Sequence, residues 1–380
     1  MVEGSLPDAL RFPEIIGNGF LGGMRELNLS RGFIVTTLDG EPVTEIELDN
    51  PCKFGFATDE ICCLFGRDEI YFSTNQWNSF EKASLCLHPH EAIGALVLYE
   101  ESFIVSLYRT KTDRVEGLQP RSIRISFDGS ELWSSKLPIT KVAYVGCQEI
   151  NAETGGVSRE IPAWNPRTWL PYTNQHRPIC SDGLTLLSYS ETRSGIGCHY
   201  VVDARSGELV WKGKAGPISE TIGISGGKFL LGLQGYGAFE THLYADGDGE
   251  STQWPSHGIC FVSESGRLMS VQLSNDLSVH QHVVELHENG RVFEHSERLP
   301  GYYTSNIVQT GDGTAYFWRA DQLWAWSEVD GLSSILKIGL GDGSYGSLHQ
   351  ISDKKIALNI RHAHGERLHE RIWAIVELKP

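Results

Sequence analysis

Glycine turns that recur at a fixed interval are the feature of this sequence that most restricts its fold. Gly207, Gly249, Gly290 and Gly331 each follow Ser, Asp or Asn, and they lie 42, 41 and 41 residues apart. A second series of turns, which fall between those of the first series, recurs at a similar interval. Two turns in fixed order within each period indicate four strands per unit, and a four-stranded unit of ~40–45 residues is typical of a propeller blade.

The layout of these turns predicts the number of units. Turns near residues 40, 78, 129, 207, 249, 290 and 331 precede a C-terminal unit that ends after three strands. An incomplete last sheet would expose an edge, so we expect its outer strand to come from residues before about 12, in SLPDALRF. The sequence therefore predicts an all-β chain: one closed β-propeller domain over residues 1–380, with eight four-stranded blades. Seven blades remain the alternative, if the N-terminal segment is assigned differently.

A long insertion at about residues 139–177 interrupts this repeat of turns. It could be a ninth unit, but prolines such as Pro162, Pro166 and Pro171 are incompatible with central strands. Long inserted loops often carry function, and Trp, Tyr and Arg dominate protein interfaces. An equally weighted alternative is that the tryptophans only pin the loop onto the propeller. The residues predicted to bind a partner are Arg159, Glu160, Trp164, Arg167, Trp169, Tyr172 and His176.

The charge of the chain restricts its partners. Asp and Glu number 48 against 32 Lys and Arg, which gives a net charge of −16. An acidic surface repels phosphate backbones and anionic lipid, so nucleic acid and membranes are excluded as expected partners. A basic protein would be attracted.

The N-terminal residues and the cysteines predict the compartment. The first twenty residues show no basic segment followed by an apolar stretch, as a secretory signal would. The eight cysteines have no spacing typical of a disulfide framework, and most lie in apolar runs. We therefore expect reduced cysteines and a cytoplasmic protein.

One repeat resembles a known family. In VVDARSGELVW, the residues Asp203, Ser206, Gly207 and Trp211 match the Asp-x-x-(Thr/Ser)-Gly-x-x-x-Trp pattern of the quinoprotein alcohol dehydrogenase-like propellers, built from PQQ-like repeats. DGSELW and DGESTQW are shorter copies. The resemblance implies the propeller fold, with this chain a non-enzymatic cytoplasmic member. It does not imply dehydrogenase activity, because the same superfamily holds many members without it.

Three local patterns could hold a cofactor or a metal, but ordinary structure explains each better. Cys62-Cys63 could form the vicinal disulfide of the quinone-dependent relatives, yet it lies in an apolar strand. His362 and His364 have no further ligand at a recognisable spacing. Asp246–Glu250 falls where each unit has a turn. We therefore predict no catalytic residues, no cofactor and no bound metal.

Two classes of function remain open. The leading hypothesis is a non-catalytic propeller scaffold that binds another protein, in one version an immunity protein that neutralises a toxin. The alternative is an enzyme, a lyase, hydrolase or dehydrogenase, with its site in the central channel. Loops from several blades would form such a site, and a single sequence does not reveal how they converge.

Overall fold

The computed structural model describes an all-β chain. Its described residues are 2–3, 11–16, 20–24, 30–37, 41–57, 61–75, 77, 79–89, 91–109, 121–137, 142–145, 148–151, 157–160, 169–171, 179–191, 197–212, 218–224, 228–235, 238–244, 251–255, 259–273, 281–286, 292–296, 299–300, 304–339, 345–352, 354–361 and 371–378. No helix long and apolar enough to cross a membrane occurs among them.

The described residues form 35 strands. In chain order they are β1 (Val2–Glu3), β2 (Arg11–Ile16), β3 (Phe20–Met24), β4 (Ser30–Thr37), β5 (Pro42–Ala57), β6 (Cys62–Phe65), β7 (Glu69–Ser73), β8 (Glu81–Ser84), β9 (Glu91–Leu98), β10 (Ser102–Arg109), β11 (Arg121–Ser126), β12 (Glu131–Lys136), β13 (Val142–Val145), β14 (Gln148–Asn151), β15 (Val157–Glu160), β16 (Trp169–Pro171), β17 (Ile179–Ser181), β18 (Leu184–Glu191), β19 (Gly197–Asp203), β20 (Leu209–Lys212), β21 (Ile218–Ile224), β22 (Lys228–Gly235), β23 (Ala238–Tyr244), β24 (Ser251–Pro255), β25 (Ile259–Val262), β26 (Leu268–Leu273), β27 (Gln281–Leu286), β28 (Val292–Glu294), β29 (Thr304–Gln309), β30 (Ala315–Arg319), β31 (Gln322–Ser327), β32 (Gly331–Lys337), β33 (Tyr345–Ser352), β34 (Lys355–Arg361) and β35 (Arg371–Glu377).

These strands pair into antiparallel sheets whose members follow one another along the chain. Four sheets contain the four-strand runs β9–β12, β21–β24, β25–β28 and β29–β32, and a fifth four-stranded sheet has the order β1-β35-β34-β33. Strands β13–β15 form a three-stranded sheet, β16–β20 a five-stranded one and β2–β8 a seven-stranded one. The first strands of neighbouring sheets lie beside each other, as β25, β29 and β33 do, so they form the inner side of the assembly.

The prediction of a closed propeller with eight four-stranded blades, or seven, is wrong. Six of the described sheets have three or four strands, and none of the described sheets closes on itself. The main cause is β5, which runs unbroken for 16 residues through Pro51. Its first half pairs with β4 and its second half with β6, so the two units expected there merge into one sheet. A turn pattern marks hairpins but does not show whether the strand between two units bends or breaks.

The pairing of the chain's two ends confirms one part of that prediction. Val2 and Glu3 pair antiparallel with Trp373 and Ile372, so a strand from the first dozen residues supplies the outer strand of the last sheet. The pairing strand is β1 and not the expected SLPDALRF.

Apolar side chains fill the spaces between neighbouring sheets. Phe72 of β7 meets Phe103 of β10 at 5.3 Å between ring centroids, and Phe261 of β25 meets Trp326 of β31 at 5.4 Å. Polar side chains link the inner strands. Asn306 of β29 donates to the backbone oxygen of Leu348 in β33 (2.7 Å) and accepts from its N–H (2.9 Å), which imitates strand pairing.

Three outermost strands share a β-bulge that exposes one apolar residue. Leu132 in β12, Val210 in β20 and Ile335 in β32 are each skipped in the register with the neighbouring strand. Their exposed fractions are 52%, 38% and 47%. Since a bulge shifts the alternation of side chains by one residue, it re-aims the following residue. In β12 and β20 that residue is a tryptophan, Trp133 or Trp211, buried to 9% exposure.

Candidate functional site

The joint between the β9–β12 sheet and the β17–β20 sheet is where the inserted segment leaves and rejoins the blades. Although about forty residues separate them in sequence, these two sheets are direct neighbours. Trp133 of the first sheet donates its indole N–H to the Ala204 carbonyl oxygen of the second at 3.0 Å. A Cβ atom on Gly207 would lie 2.6 Å from the Trp133 ring, so only glycine permits this packing.

The Asp-x-x-Ser-Gly pattern forms the turn that receives Trp133. The Asp203 carboxylate accepts from the backbone N–H of Arg205 (3.0 Å) and Ser206 (2.6 Å) and from the Ser206 hydroxyl (2.8 Å). Burial raises the pKa of Asp203, but these hydrogen bonds outweigh it and lower the pKa below its usual value. Gly207 has φ = +74°, which favours glycine. The resemblance seen in the sequence therefore corresponds to a real local structure.

A buried arginine completes this end of the joint. Arg124 donates to Glu100 (2.9 Å) and to the Ser102 hydroxyl (2.8 Å), and its guanidinium lies 4.7 Å from the centroid of the Tyr99 ring. Arg205 of the neighbouring sheet donates to the other oxygen of Glu100 at 3.3 Å. The arrangement links the two sheets, because Glu100 of the first accepts from Arg124 of its own sheet and from Arg205 of the second. We call this the lower end, since it contains the β9–β10 and β17–β18 hairpins.

The inserted segment rejoins the sheet at the upper end, opposite those hairpins. Strand β18 pairs with β17 over its first residues, Leu184–Leu186, and with β16 over its last, Tyr189–Glu191. The inner edge of this sheet is therefore built from two separate strands. Strand β16 also lies alongside β10 and reaches β9. Pro171 of β16 and Ile179 of β17 thus both lie on the inner edge of this sheet.

A polar cluster lies at the same upper end, on the β9–β12 sheet. Arg121 donates from two nitrogens to the two oxygens of Glu91, each at 2.7 Å. The His88 backbone N–H donates to the same carboxylate at 3.1 Å. Arg67, from the preceding sheet, donates to the backbone oxygens of Pro89 and Glu91. Burial raises the pKa of Glu91, but the bonds from Arg121 and His88 outweigh it and lower the pKa.

The predicted partner-binding residues fall partly within the described chain. Arg159 and Glu160 lie on β15, where they pair in register with Glu149 and Gln148, and Trp169 begins β16. Trp164, Arg167, Tyr172 and His176 lie outside the described residues. The structure thus neither joins these residues into one site nor separates them, and their role stays a prediction.

Cys52, Cys62, Cys63, Cys86 and Cys180 are free thiols. Neighbouring residues on a strand point to opposite faces, so Cys62 packs with Phe33 while Cys63 packs with Phe72 in a different cluster. Burial raises the pKa of the Cys62 thiol to about 12. Among the residues that the structure describes, no three His, Cys, Asp or Glu side chains group as a metal site would require. His362, His364 and all of Asp246–Glu250 lie outside those residues.

Solved structures provide the comparison with known proteins. The propeller of Dos1 is similar with a TM-score of 0.53 at 10% identity, covering 96% of this chain and 91% of that chain. This chain has a β-propeller fold. BamB from Moraxella catarrhalis (TM-score 0.47, 10% identity, 98% and 96% covered) and YCF48 bound to a D1 peptide (0.43, 9%, 86% and 91%) are more distant. No family model and no curated protein matches the sequence. At these identities the similarity shows the fold and carries no function.

The sequence reasoning missed the upper polar cluster and the buried Arg124. One signal was available. In the strand RSIRIS, Arg121 and Arg124 interrupt an apolar run, and a charged residue within a buried strand generally needs a partner. The partners, Glu91 and Glu100, lie 30 and 24 residues away, so their identity required the fold.

Proposed function

We propose that this propeller is a non-catalytic scaffold that binds a protein partner at the upper end of the joint between the β9–β12 and β17–β20 sheets. The observation that carries this proposal is the divided inner edge. Strands β16 and β17 both pair with β18, so Pro171 and Ile179 lie on the inner edge of one sheet. A partner bound at this edge would lie on the inner side of the assembly, beside the first strands of the sheets.

The chemistry of the inserted segment supports a protein as the ligand. It combines tryptophan, tyrosine and arginine, the residues that most often dominate interface energetics. Its prolines limit the entropy that a loop loses on binding. The described part of the segment also supplies a small separate sheet, β13–β15, whose outer strand β15 carries Arg159 and Glu160.

We further propose that the partner is basic and that the protein acts in the cytoplasm. The net charge of −16 would speed the encounter with a cationic protein and would repel nucleic acid. The most specific form of this proposal is an immunity protein that masks a basic toxin. The compartment follows only from the sequence expectation of reduced cysteines.

Affinity capture from a native lysate, identified by mass spectrometry and followed by calorimetry with the purified partner, tests the proposal. Trp164→Ala and Trp169→Ala should each weaken binding by about 2 kcal/mol or more, the usual hot-spot threshold. Association should slow as salt rises. Phe293→Ala is the matched control, because Phe293 is an aromatic residue 49% exposed on the outer strand β28, far along the chain from the insertion.

Two results would contradict the proposal. Full affinity after deletion of residues 155–175 would place the interface elsewhere. Unfolding of both tryptophan variants, with Phe293→Ala stable, would assign the tryptophans to holding the loop down. Turnover of a small molecule, lost on mutation in the central channel, would support the enzyme alternative instead.

A further inference from the structure

The outer strand β32 differs from the other outer strands of the propeller. It ends the sheet order β29-β30-β31-β32, and no described strand pairs with its outer edge. In an antiparallel ladder, alternate residues of such an edge strand direct N–H and C=O groups outward. Residues Ser333, Ser334 and Ile335 in its middle are exposed. The edge is therefore accessible to another strand.

Length and charge distinguish this edge from the others. Strand β32 has seven residues, and its first six, Gly331–Leu336, carry no charge. The outer strand β12 has six residues with Glu131 at one end and Lys136 at the other, whereas β28 has three, including Glu294. Outer strand β24 ends in Pro255. Short length, charge and proline are the usual means of protecting an edge, and β32 lacks them over most of its length.

The bulge at Ile335 does not set β32 apart, because β12 and β20 have a bulge at the matching place. Its role is internal. It lets Leu332 pack towards the β25–β28 side and Leu336 towards the β33–β35 side. The outer edge stays extended on both sides of it.

The two ends of β32 carry opposite charges. Asp330, in the turn before the strand, is exposed, and so is Lys337 at its last residue. Among the described residues, Lys337 has no ion pair. If an antiparallel copy of the same strand paired with it around Ser334, Gly331 of one copy would lie opposite Lys337 of the other. Asp330, which precedes Gly331, would then lie diagonally across from Lys337. Both ends of the pair would then match a carboxylate with an ammonium group.

We propose that two copies of this chain associate through β32, as a two-fold dimer in which the outer strands pair antiparallel. A two-fold axis requires a self-complementary surface, which the Asp330–Lys337 arrangement supplies. Antiparallel pairing also places the two turns that contain Asp330 at opposite ends of the paired strands, which limits repulsion between chains of charge −16. The proposal is independent of the insertion and of the proposed function.

Sedimentation velocity of the full chain over about a hundredfold range of concentration tests the dimer. Because an edge pair buries little surface, we expect a monomer of 42.2 kDa to give way to twice that mass in roughly the micromolar range. Lys337→Asp or Asp330→Lys alone should weaken the dimer on the order of tenfold, because two favourable pairs become repulsive. The double variant Asp330→Lys/Lys337→Asp should restore most of the affinity.

Controls separate this dimer from other association. Lys136→Glu, at the matching end of β12, should leave the dimer unchanged, and Ile335→Lys should abolish it by placing a charge on the edge. Thermal unfolding of each variant identifies any that fail to fold. A chain that stays monomeric at every concentration overturns the proposal. So does a dimer that tolerates Ile335→Lys, or a double variant no tighter than its single variants.

Discussion

Two joints between neighbouring sheets of this propeller are held by different means. At the lower end of the joint between β9–β12 and β17–β20, Trp133 packs on Gly207 and Arg124 is buried against Glu100. At the joint between β25–β28 and β29–β32, Arg267 pairs with Glu285 of its own sheet at 3.1 Å and with Glu328 of the neighbouring sheet at 3.2 Å. The Asp-x-x-Ser-Gly turn of the first joint connects β19 and β20, the last two strands of its sheet, whereas the turn that carries Arg267 in the second joint connects β25 and β26, the first two strands of its sheet. The second joint also contains a packed aromatic pair, Phe261 and Trp326, so its charged contacts act beside close packing.

The difference predicts how each joint responds to change. A packed aromatic contact fails when atoms are added, and it is nearly insensitive to pH and salt. A charge network tolerates changes of shape but weakens when a carboxylate is protonated. The second joint also has a neutral polar link, in which Gln309 of β29 donates to the Val262 carbonyl oxygen of β25.

Gly207→Ala should give the largest effect. The new Cβ would lie 2.6 Å from the buried Trp133 ring, and alanine would be strained at φ = +74°. Left-handed strain of about 1–2 kcal/mol and an overpacking term of similar size together predict a loss of about 3 kcal/mol in unfolding free energy. Chemical denaturation monitored by tryptophan fluorescence measures it.

Two glycines serve as graded controls. Gly313 has φ = +80°, and a Cβ added to it would lie 2.8 Å from Glu264 Cβ in an exposed turn of the second joint, so Gly313→Ala should cost less unfolding free energy than Gly207→Ala. Gly266 has φ = +81° with nothing within 4 Å, so Gly266→Ala reports the strain alone. Equal losses at all three positions would mean that the Trp133 contact adds nothing.

Arg124→Met should give the next largest effect. Removing one partner of a buried ion pair costs about 3–5 kcal/mol, but Glu100 is half exposed, so we expect about 2 kcal/mol. Arg205→Met is the matched control on the same carboxylate, and its side chain is 77% exposed, so the loss of unfolding free energy should be much smaller than for Arg124→Met. If both variants lose the same amount, Arg124 acts as a surface charge and burial has no part in the joint.

The turns of the fold were predictable because they depend on local chemistry. Gly129, Gly207 and Gly331, identified from the repeat, all adopt positive φ. The number of sheets was not predictable from the same pattern. Whether β5 continues through Asn50 and Pro51 depends on its pairing with both β4 and β6, which no local signal encodes.

The partner-binding site expected from the sequence stays a prediction. Prolines and tryptophans marked the segment at residues 139–177, and the structure shows where β16 returns to the inner edge. The Glu91–Arg121 pair beside it joins residues 30 positions apart. Such a partner follows from the stacking of sheets, and the sequence offered only an arginine within an apolar strand.

The smallest expected effect concerns the second joint and acid. Hydrogen bonds from Ser263 and Ser265, with the charge of Arg267, lower the pKa of Glu328 from about 4.5 to about 2. A carboxylate whose pKa is depressed by folding stabilises the protein fully above its unfolded pKa, and this contribution is lost as pH falls from about 4.5 towards 2. At neutral pH, Glu328→Gln should therefore lose on the order of 1 kcal/mol, and the gap to the wild type should close as pH falls through this window. Thermal unfolding from pH 7 to pH 3 measures the gap.

Gly207→Ala is the contrasting variant, because its deficit is steric and should stay constant over the same range. A Glu328→Gln deficit that persists undiminished at pH 3 would show that shape and not charge holds the second joint, and the contrast between the two joints would be lost.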